Sequence, residues 1–280
     1  MQTVGIQDPV INDILFKSGP RTILLLEGED DLDTIEKWYK SEIDDIYVHD
    51  CGGKLKVKDI FDKLELATYK ERVFAIRDRD LDYTEYKVNK CYRDTTNRFY
   101  ILKRRNLENY LIDPQSILDV IEISFAAGKR PVNTIKQVAD DLKDIVSTLK
   151  NITLCNLLIE NENEGITGAK PTCYSPGHNC NSETKANLII NVSAKIGKSQ
   201  AYVRRELNSL IAAQNSKFTT LNQSHKIVCG KRILFALKDK YKFTVDVNLL
   251  KRQLIARLKV NGIPNDFRKI IEQRIQGYAI

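Results

Sequence analysis

Three short apolar runs in the first third of the chain most constrain its fold. They are "RTILLLEG" (21–28), "DDIYVHDCGG" (44–53) and "ERVFAIRDRD" (71–80), each closed by glycine or acids. Runs this short, rich in β-branched and aliphatic residues and bounded by turn formers, read as buried strands. The segments between them have helical period. "DDLDTIEKWYKSE" (30–42) places Leu32, Ile35, Trp38 and Tyr39 on one face, with acids in the first turn where the helix dipole favours them. "KLKVKDIFDKLEL" (54–66) does the same through Val57, Ile60, Phe61 and Leu64. A polar, Tyr-rich excursion (81–97) precedes a fourth strand, "RFYILKRR" (98–105), and "NLENYLIDPQSILDVI" (106–121) opens a helical segment interrupted by Pro114. The alternation predicts an α/β, Rossmann-like fold, with a mostly parallel four-stranded sheet and flanking helices.

After about residue 120 the pattern becomes helical. Helices are expected over 133–152, 199–213, 230–242, 248–260 and 265–275, with a polar Gly- and Pro-containing loop at 160–185. The expected organisation is a sheet domain at 1–120 and a helical, basic elaboration at 121–280. Charge divides the same way. Of 44 Lys and Arg and 37 Asp and Glu, residues 1–113 hold 19 and 23, leaving 25 and 14 for the rest. An acidic part followed by a basic part fits a cation-using site beside a polyanion-binding surface, although a solvated basic face has the same composition.

No apolar run approaches the ~20 residues of a membrane helix, and the N-terminal stretch lacks the pattern of a signal peptide. The six cysteines are scattered, so reduced thiols and a cytoplasmic location are expected.

In an open α/β sheet, function gathers at the carboxyl ends of the strands. Glu27 ends the first expected strand, with Asp31 four residues on; Asp78 and Asp80 end the third, followed by Asp82; Glu108 follows the fourth. Glu27 and Asp31 can flank a strand-to-helix turn and face one cation. Asp78 and Asp80, as alternate residues, are expected to share a side. Mg²⁺ takes hard oxygen ligands, and phosphodiester cleavage gains from cations that activate water and stabilise the leaving oxygen. Unpaired acids repel one another, so gathering them without a cation is unfavourable. Arg77 and Arg79 suit counter-charges or phosphate contacts equally well.

Other groups are more ambiguous. Cys173, His178 and Cys180 lie close together in the polar loop, but their spacing is not a familiar zinc pattern. His49, at a strand end, suits substrate contact or a structural role. "GGK" (52–54) could offer backbone N–H groups and Lys54 to a phosphate, or be a glycine turn. No GxxxxGK[ST] is present, which excludes a P-loop ATPase. Arg104, Arg105, Lys251, Arg252 and Arg257 could follow a nucleic-acid backbone or form solvated helix faces.

The succession "LLLEGEDD…CGGK…IRDRD…RRNLENYLI" resembles the Toprim fold shared by topoisomerases, primases and OLD-family nucleases. It is closest to the OLD-like branch and to the compact, standalone AriB-like effectors of PARIS anti-phage defence. The resemblance spans roughly residues 20–118, with a weaker echo at "CGKRILFAL" (229–237). It implies Glu27 as metal ligand or general acid/base, Asp78 and Asp80 as Mg²⁺ ligands (Mn²⁺ a possible substitute), and Asp31 and Glu108 at a second cation position. Asp82 is an additional ligand candidate, and Lys231 is the candidate catalytic lysine. The chain departs from the OLD pattern at Ile76, where those nucleases carry a small hydroxyl residue. No topoisomerase tyrosine domain or primase zinc module is evident.

The resemblance also implies a toxic endonuclease that cleaves nucleic acid, tRNA by preference. It further implies an ABC-type ATPase partner and a homodimer in the active state. Two alternatives stand beside this: a catalytically inactive Toprim-fold module that binds nucleic acid or a partner, and a Toprim DNA nickase or ribosomal-RNA maturase.

Overall fold

The computed structural model describes residues 8–39, 44–66, 69–80, 98–162 and 184–275. Asp82 and the group Cys173, His178 and Cys180 lie outside the described residues. The described chain forms two compact units. Those of the first fall within 8–78, 98–103 and 262–275; those of the second are 79–80 and the described part of 104–261. The division expected at residue 120 is therefore displaced in both directions. "NLENYL" belongs with the helical unit, and the C-terminal segment belongs with the sheet.

The first unit begins with α1 (Pro9–Ser18). Asp8 caps it by accepting the Val10 N–H at 3.0 Å, and Pro9 occupies the first turn, where a missing N–H is harmless. Then follow β1 (Thr22–Leu26), α2 (Glu29–Tyr39), β2 (Ile46–Asp50), α3 (Lys54–Leu66), β3 (Val73–Arg77) and β4 (Phe99–Ile101). All three strand pairings are parallel and the order is β2-β1-β3-β4. In register, Leu24 pairs with Val48 on one side and Phe74 on the other. β1 is buried at every residue, as a strand covered on both faces must be. Right-handed crossovers, first to β2 and then back past β1 to β3, put α2 and α3 on opposite faces.

The C-terminal return supplies α11 (Asn265–Arg268) and a π-helical stretch, Lys269–Ile275. Phe267 meets the edge of Trp38 with ring centroids 5.4 Å apart, and both side chains are buried.

The second unit contains α4 (Pro114–Ser124), α5 (Ile135–Glu162), α6 (Lys185–Ile196), α7 (Gln200–Gln214), α8 (Leu221–Ser224), α9 (Gly230–Tyr241) and α10 (Val247–Asn261). Pro114 starts α4 rather than interrupting a longer helix. Asp113 caps it by accepting the Ser116 N–H at 2.8 Å, repeating the Asp-Pro device of α1. The 28-residue α5 is the spine, packed against α4, α6, α7 and α9. It runs ten residues beyond the expected end at 152. Residues Ile152–Ile159 are all buried, so the amphipathic period that marks a surface helix vanishes while the helix continues.

Trp38 is the only tryptophan, so its emission reports on this contact. Replacing Phe267 by Ala should lower stability by about 3 kcal/mol through the cavity left. It should also shift Trp38 emission to the red in the native state; unchanged emission would show that the C-terminal segment does not cover Trp38.

Candidate active site

At the carboxyl edge of the sheet, the chain leaves β1 toward β2 on one side and later enters β3 on the other. The space beyond β1 and β3 is thus the topological switch point, where open α/β sheets bind ligands. Glu27 follows β1 and Asp78 follows β3. Their approach is direct: the Asp78 N–H donates to Glu27 Oε2 at 3.3 Å, across 51 residues of sequence. The Glu27 carbonyl accepts the Gly53 N–H at 2.7 Å, so the same residue also fixes the turn after β2. Both acids are half-buried.

Asp31 is held by a local contact of its own. It is the third residue of α2, and its Oδ2 accepts the Gly28 N–H at 3.2 Å, while the Gly28 carbonyl accepts the Leu32 N–H at 3.2 Å. This is half of a capping box, which explains the E-G-x-x-D spacing by itself. A carboxylate has about four acceptor positions, so a cap and a cation can share one group.

The "GGK" turn proves to be internal. Gly52 and Gly53 have φ of +70° and +130°, which only glycine adopts readily. The Gly52 N–H donates to Asp50 at 2.7 Å and the Gly53 N–H to Glu27. These amides are committed to the protein, so the turn is not a phosphate cradle. Lys54 opens α3, half-buried. His49 stacks on Tyr47 at 6.1 Å, and burial lowers its pKa, as expected of a structural histidine.

Asp80 belongs to the second unit. β3 stops at Arg77, so the period-two argument that placed Asp78 and Asp80 on one side does not reach them. Asp80 has φ of +49°, in the left-handed region that Asp tolerates better than most residues. Its N–H donates to the Arg105 carbonyl at 2.7 Å.

In this unit "NLEN" and "CGKR", more than 120 residues apart, interlock. Glu108 is buried, with Lys251 at 3.3 Å and Lys231 at 3.5 Å from Oε1, and with Asn106 Nδ2 donating to Oε2 at 2.7 Å. Asn106 Oδ1 accepts the Gly230 N–H at 3.0 Å. A Cβ at Gly230 would lie 2.6 Å from the Asn109 nitrogen, so this glycine is required by close approach. Asn109 Nδ2 donates to the Val228 carbonyl at 3.0 Å and meets His225 Nδ1 at 3.4 Å. Burial, then the Arg104 charge, pushes His225 down to about 3, so it is neutral near pH 7 and Nδ1 accepts from the amide.

The basic candidates separate by burial. Arg105 is buried, donating to the Ile227 carbonyl at 2.6 Å, and Lys251 is buried on Glu108. This corrects the expectation that these two line an open nucleic-acid surface: their charges organise the interior. Arg104 is half-buried over the Tyr110 ring at 4.5 Å. Arg252 is exposed and Arg257 half-buried.

Sequence reasoning missed Asn106, Asn109, His225 and Gly230 as parts of the Glu108 site. The asparagines flanking Glu108 and the glycine before Lys231 were the available signals. Among the described residues, no three His, Cys, Asp or Glu side chains converge closely enough to hold a metal ion. Neither a model of a known protein family nor a curated protein matches this chain.

Two outcomes follow. His225 has a folded pKa below its ordinary value, so stability is complete above about pH 6.5 and falls as pH drops toward 3. The His225 contribution has a slope of up to ~1.4 kcal/mol per pH unit. Urea melts between pH 4 and 7 should show His225→Asn losing this slope relative to wild type. Thermal melts should show Asp80→Val less stable than Asp80→Gly by about 1 kcal/mol or more, because both lack the carboxylate and only glycine adopts the left-handed backbone freely.

Proposed function

We propose that this chain is a Mg²⁺-dependent, Toprim-type endonuclease that hydrolyses phosphodiester bonds. The observation that carries the reading is the approach of Glu27 and Asp78 at the switch point of a parallel sheet. The carboxylate oxygens of Glu27 and Asp78 suit a hard cation, which needs only one or two such groups beside its waters; Asp31 enters from the resemblance. Asp80 and Glu108 enter as further ligands from the resemblance alone, as does Lys231 as the catalytic lysine.

A bound Mg²⁺ would polarise a phosphoryl oxygen and lower the pKa of water. The protein groups prepare for this. Glu27 is held at both ends, its carbonyl by Gly53 and its carboxylate by the Asp78 N–H, so its orientation is set before any substrate arrives. In this reading its carboxylate takes the proton from an attacking water. Asp78, on the next strand, is the principal ligand candidate.

The resemblance extends this proposal to tRNA as substrate, to cytoplasmic action as a toxic effector of anti-phage defence, to restraint by an ABC-type ATPase and to an active homodimer. Among the described residues no helix is long and apolar enough to cross a membrane. A second reading, a catalytically inactive nucleic-acid-binding module, draws on Glu108, whose carboxylate already meets two lysines.

The test is cleavage of labelled RNA and DNA with Mg²⁺ by wild type, Glu27→Gln and Asp78→Asn. The nuclease reading expects cleavage by wild type that EDTA abolishes and either substitution reduces at least 100-fold, with folding retained. Equal cleavage by all three would overturn it, and binding without cleavage by wild type would favour the second reading.

A further inference from the structure

The α6–α7 hairpin and the turn after it, residues 184–218, carry six Lys and Arg and one acid, Glu206. On α7 the apolar residues Val203, Leu207 and Leu210 are buried in the core of the second unit. Gln200, Arg204 and Asn208 recur every four residues on the outward side, with Ala201 and Arg205 beside them, and all five are exposed. They line a recess of about 550 Å³. Ala201 is the small residue that leaves it open.

Three features set this recess apart from an ordinary solvated helix face. Arg204 has no ion-pair partner among the described residues. Lys185 extends the cationic surface from α6, its Nζ 3.1 Å from Asn208 Oδ1. Tyr202 is fixed between two cations, with Lys198 at 5.8 Å and Arg205 at 5.1 Å from its ring, and its hydroxyl donates to Glu162 at 2.5 Å. That last bond gives the nearby carboxylate a partner. Arg205 does pair with Glu206 at 2.7 Å, but this pair is exposed and weak, so a phosphate can compete for it.

We infer that the outward face of α7 binds the sugar-phosphate backbone of a nucleic acid. Arginine forks match phosphate oxygens bidentately, and the amides of Gln200 and Asn208 suit phosphate and sugar oxygens. From Gln200 to Asn208 the stripe is roughly 12 Å long, enough for three or four phosphates of one strand at ~3.4 Å rise. The contacts offered here are to phosphate and sugar, which carry no sequence information, so binding through this face is expected to be independent of sequence. The inference rests on the nuclease reading in taking the nucleic acid as substrate; binding itself does not require cleavage.

The experiment is fluorescence anisotropy of a labelled single-stranded RNA and a labelled duplex DNA, with EDTA present and salt varied, using the full chain. Arg204→Gln/Arg205→Gln should bind about tenfold more weakly and flatten the slope of log K against log salt by about 2. Lys136→Gln/Lys143→Gln removes the same charge from exposed positions of α5 and should change neither. Equal affinity and slope for the arginine variant, or equal loss in the α5 control, overturns the assignment. So does arginine-dependent binding to anionic lipid vesicles with unchanged RNA and DNA binding. With Mg²⁺, arginine-dependent binding without cleavage removes the nuclease reading and keeps this surface. Cleavage whose KM ignores Arg204 and Arg205 does the reverse.

Discussion

The chain passes β1 twice, and the chemistry available to the first unit depends on that. Leaving toward β2 and returning to β3 on the far side opens one gap between diverging connections. The side chains that directly follow Leu26 and Arg77, Glu27 and Asp78, are delivered there. Parallel pairing sends both strand ends to the same edge, so Glu27 and Asp78 meet although 51 residues separate them. An antiparallel pairing would have put them at opposite edges. The apolar runs that made the strands legible are also what make this placement compulsory. β1 is buried along its whole length, so a one-residue slip would change both neighbouring registers at once.

The second unit solves a different problem, that of keeping a carboxylate inside. Removing an ion from water is unfavourable by several kcal/mol even after relaxation, and close partners must offset it. Glu108 has one buried lysine, one half-exposed lysine and an asparagine amide. Asn106 does two things, since the oxygen of the same amide takes the Gly230 N–H. The interlock is therefore a single hydrogen-bonded object built from two distant stretches, and Gly230 is its narrowest point. Lys231, next in sequence, reaches Glu108 from an exposed position. It is the group of this cluster most able to answer a charge arriving from solution.

The strands could be read as short apolar runs, β1 and β3 being buried on both faces, and most helices because each presents one buried face at its own period. The failures have physical causes. The last third of α5, Ile152–Ile159, is buried all round and loses its period. The Asp-Pro pair, read as an interruption at Pro114, is an N-cap followed by a residue suited to the first turn, and the same pair starts α1. The acids could be placed by strand order, but their partners could not. Lys251, on a basic helix, and Arg105, in a basic run after a strand, looked like surface cations because neither pattern names the distant carboxylate or carbonyl that each meets. His225 gave no signal, since a neutral buried histidine resembles any polar residue at a helix end.

Asp31 shows how spacing alone can mislead. Its distance from Glu27 suggested a cation between them, yet a capping box demands an acid at the third position of a helix whatever lies nearby. The observed bond to the Gly28 N–H meets that demand in full. Asp31 therefore adds little weight to a cation site on sequence grounds, and Gly28, whose φ is ordinary, adds none. The weight moves to Glu27 and Asp78. No helix cap or turn requires a glutamate after β1 to reach the end of β3, since water could satisfy the Asp78 N–H at a half-buried loop. A long acidic side chain spanning two strand ends at the one gap in the sheet is the arrangement that local structure does not explain, and it is where a cation would gain most.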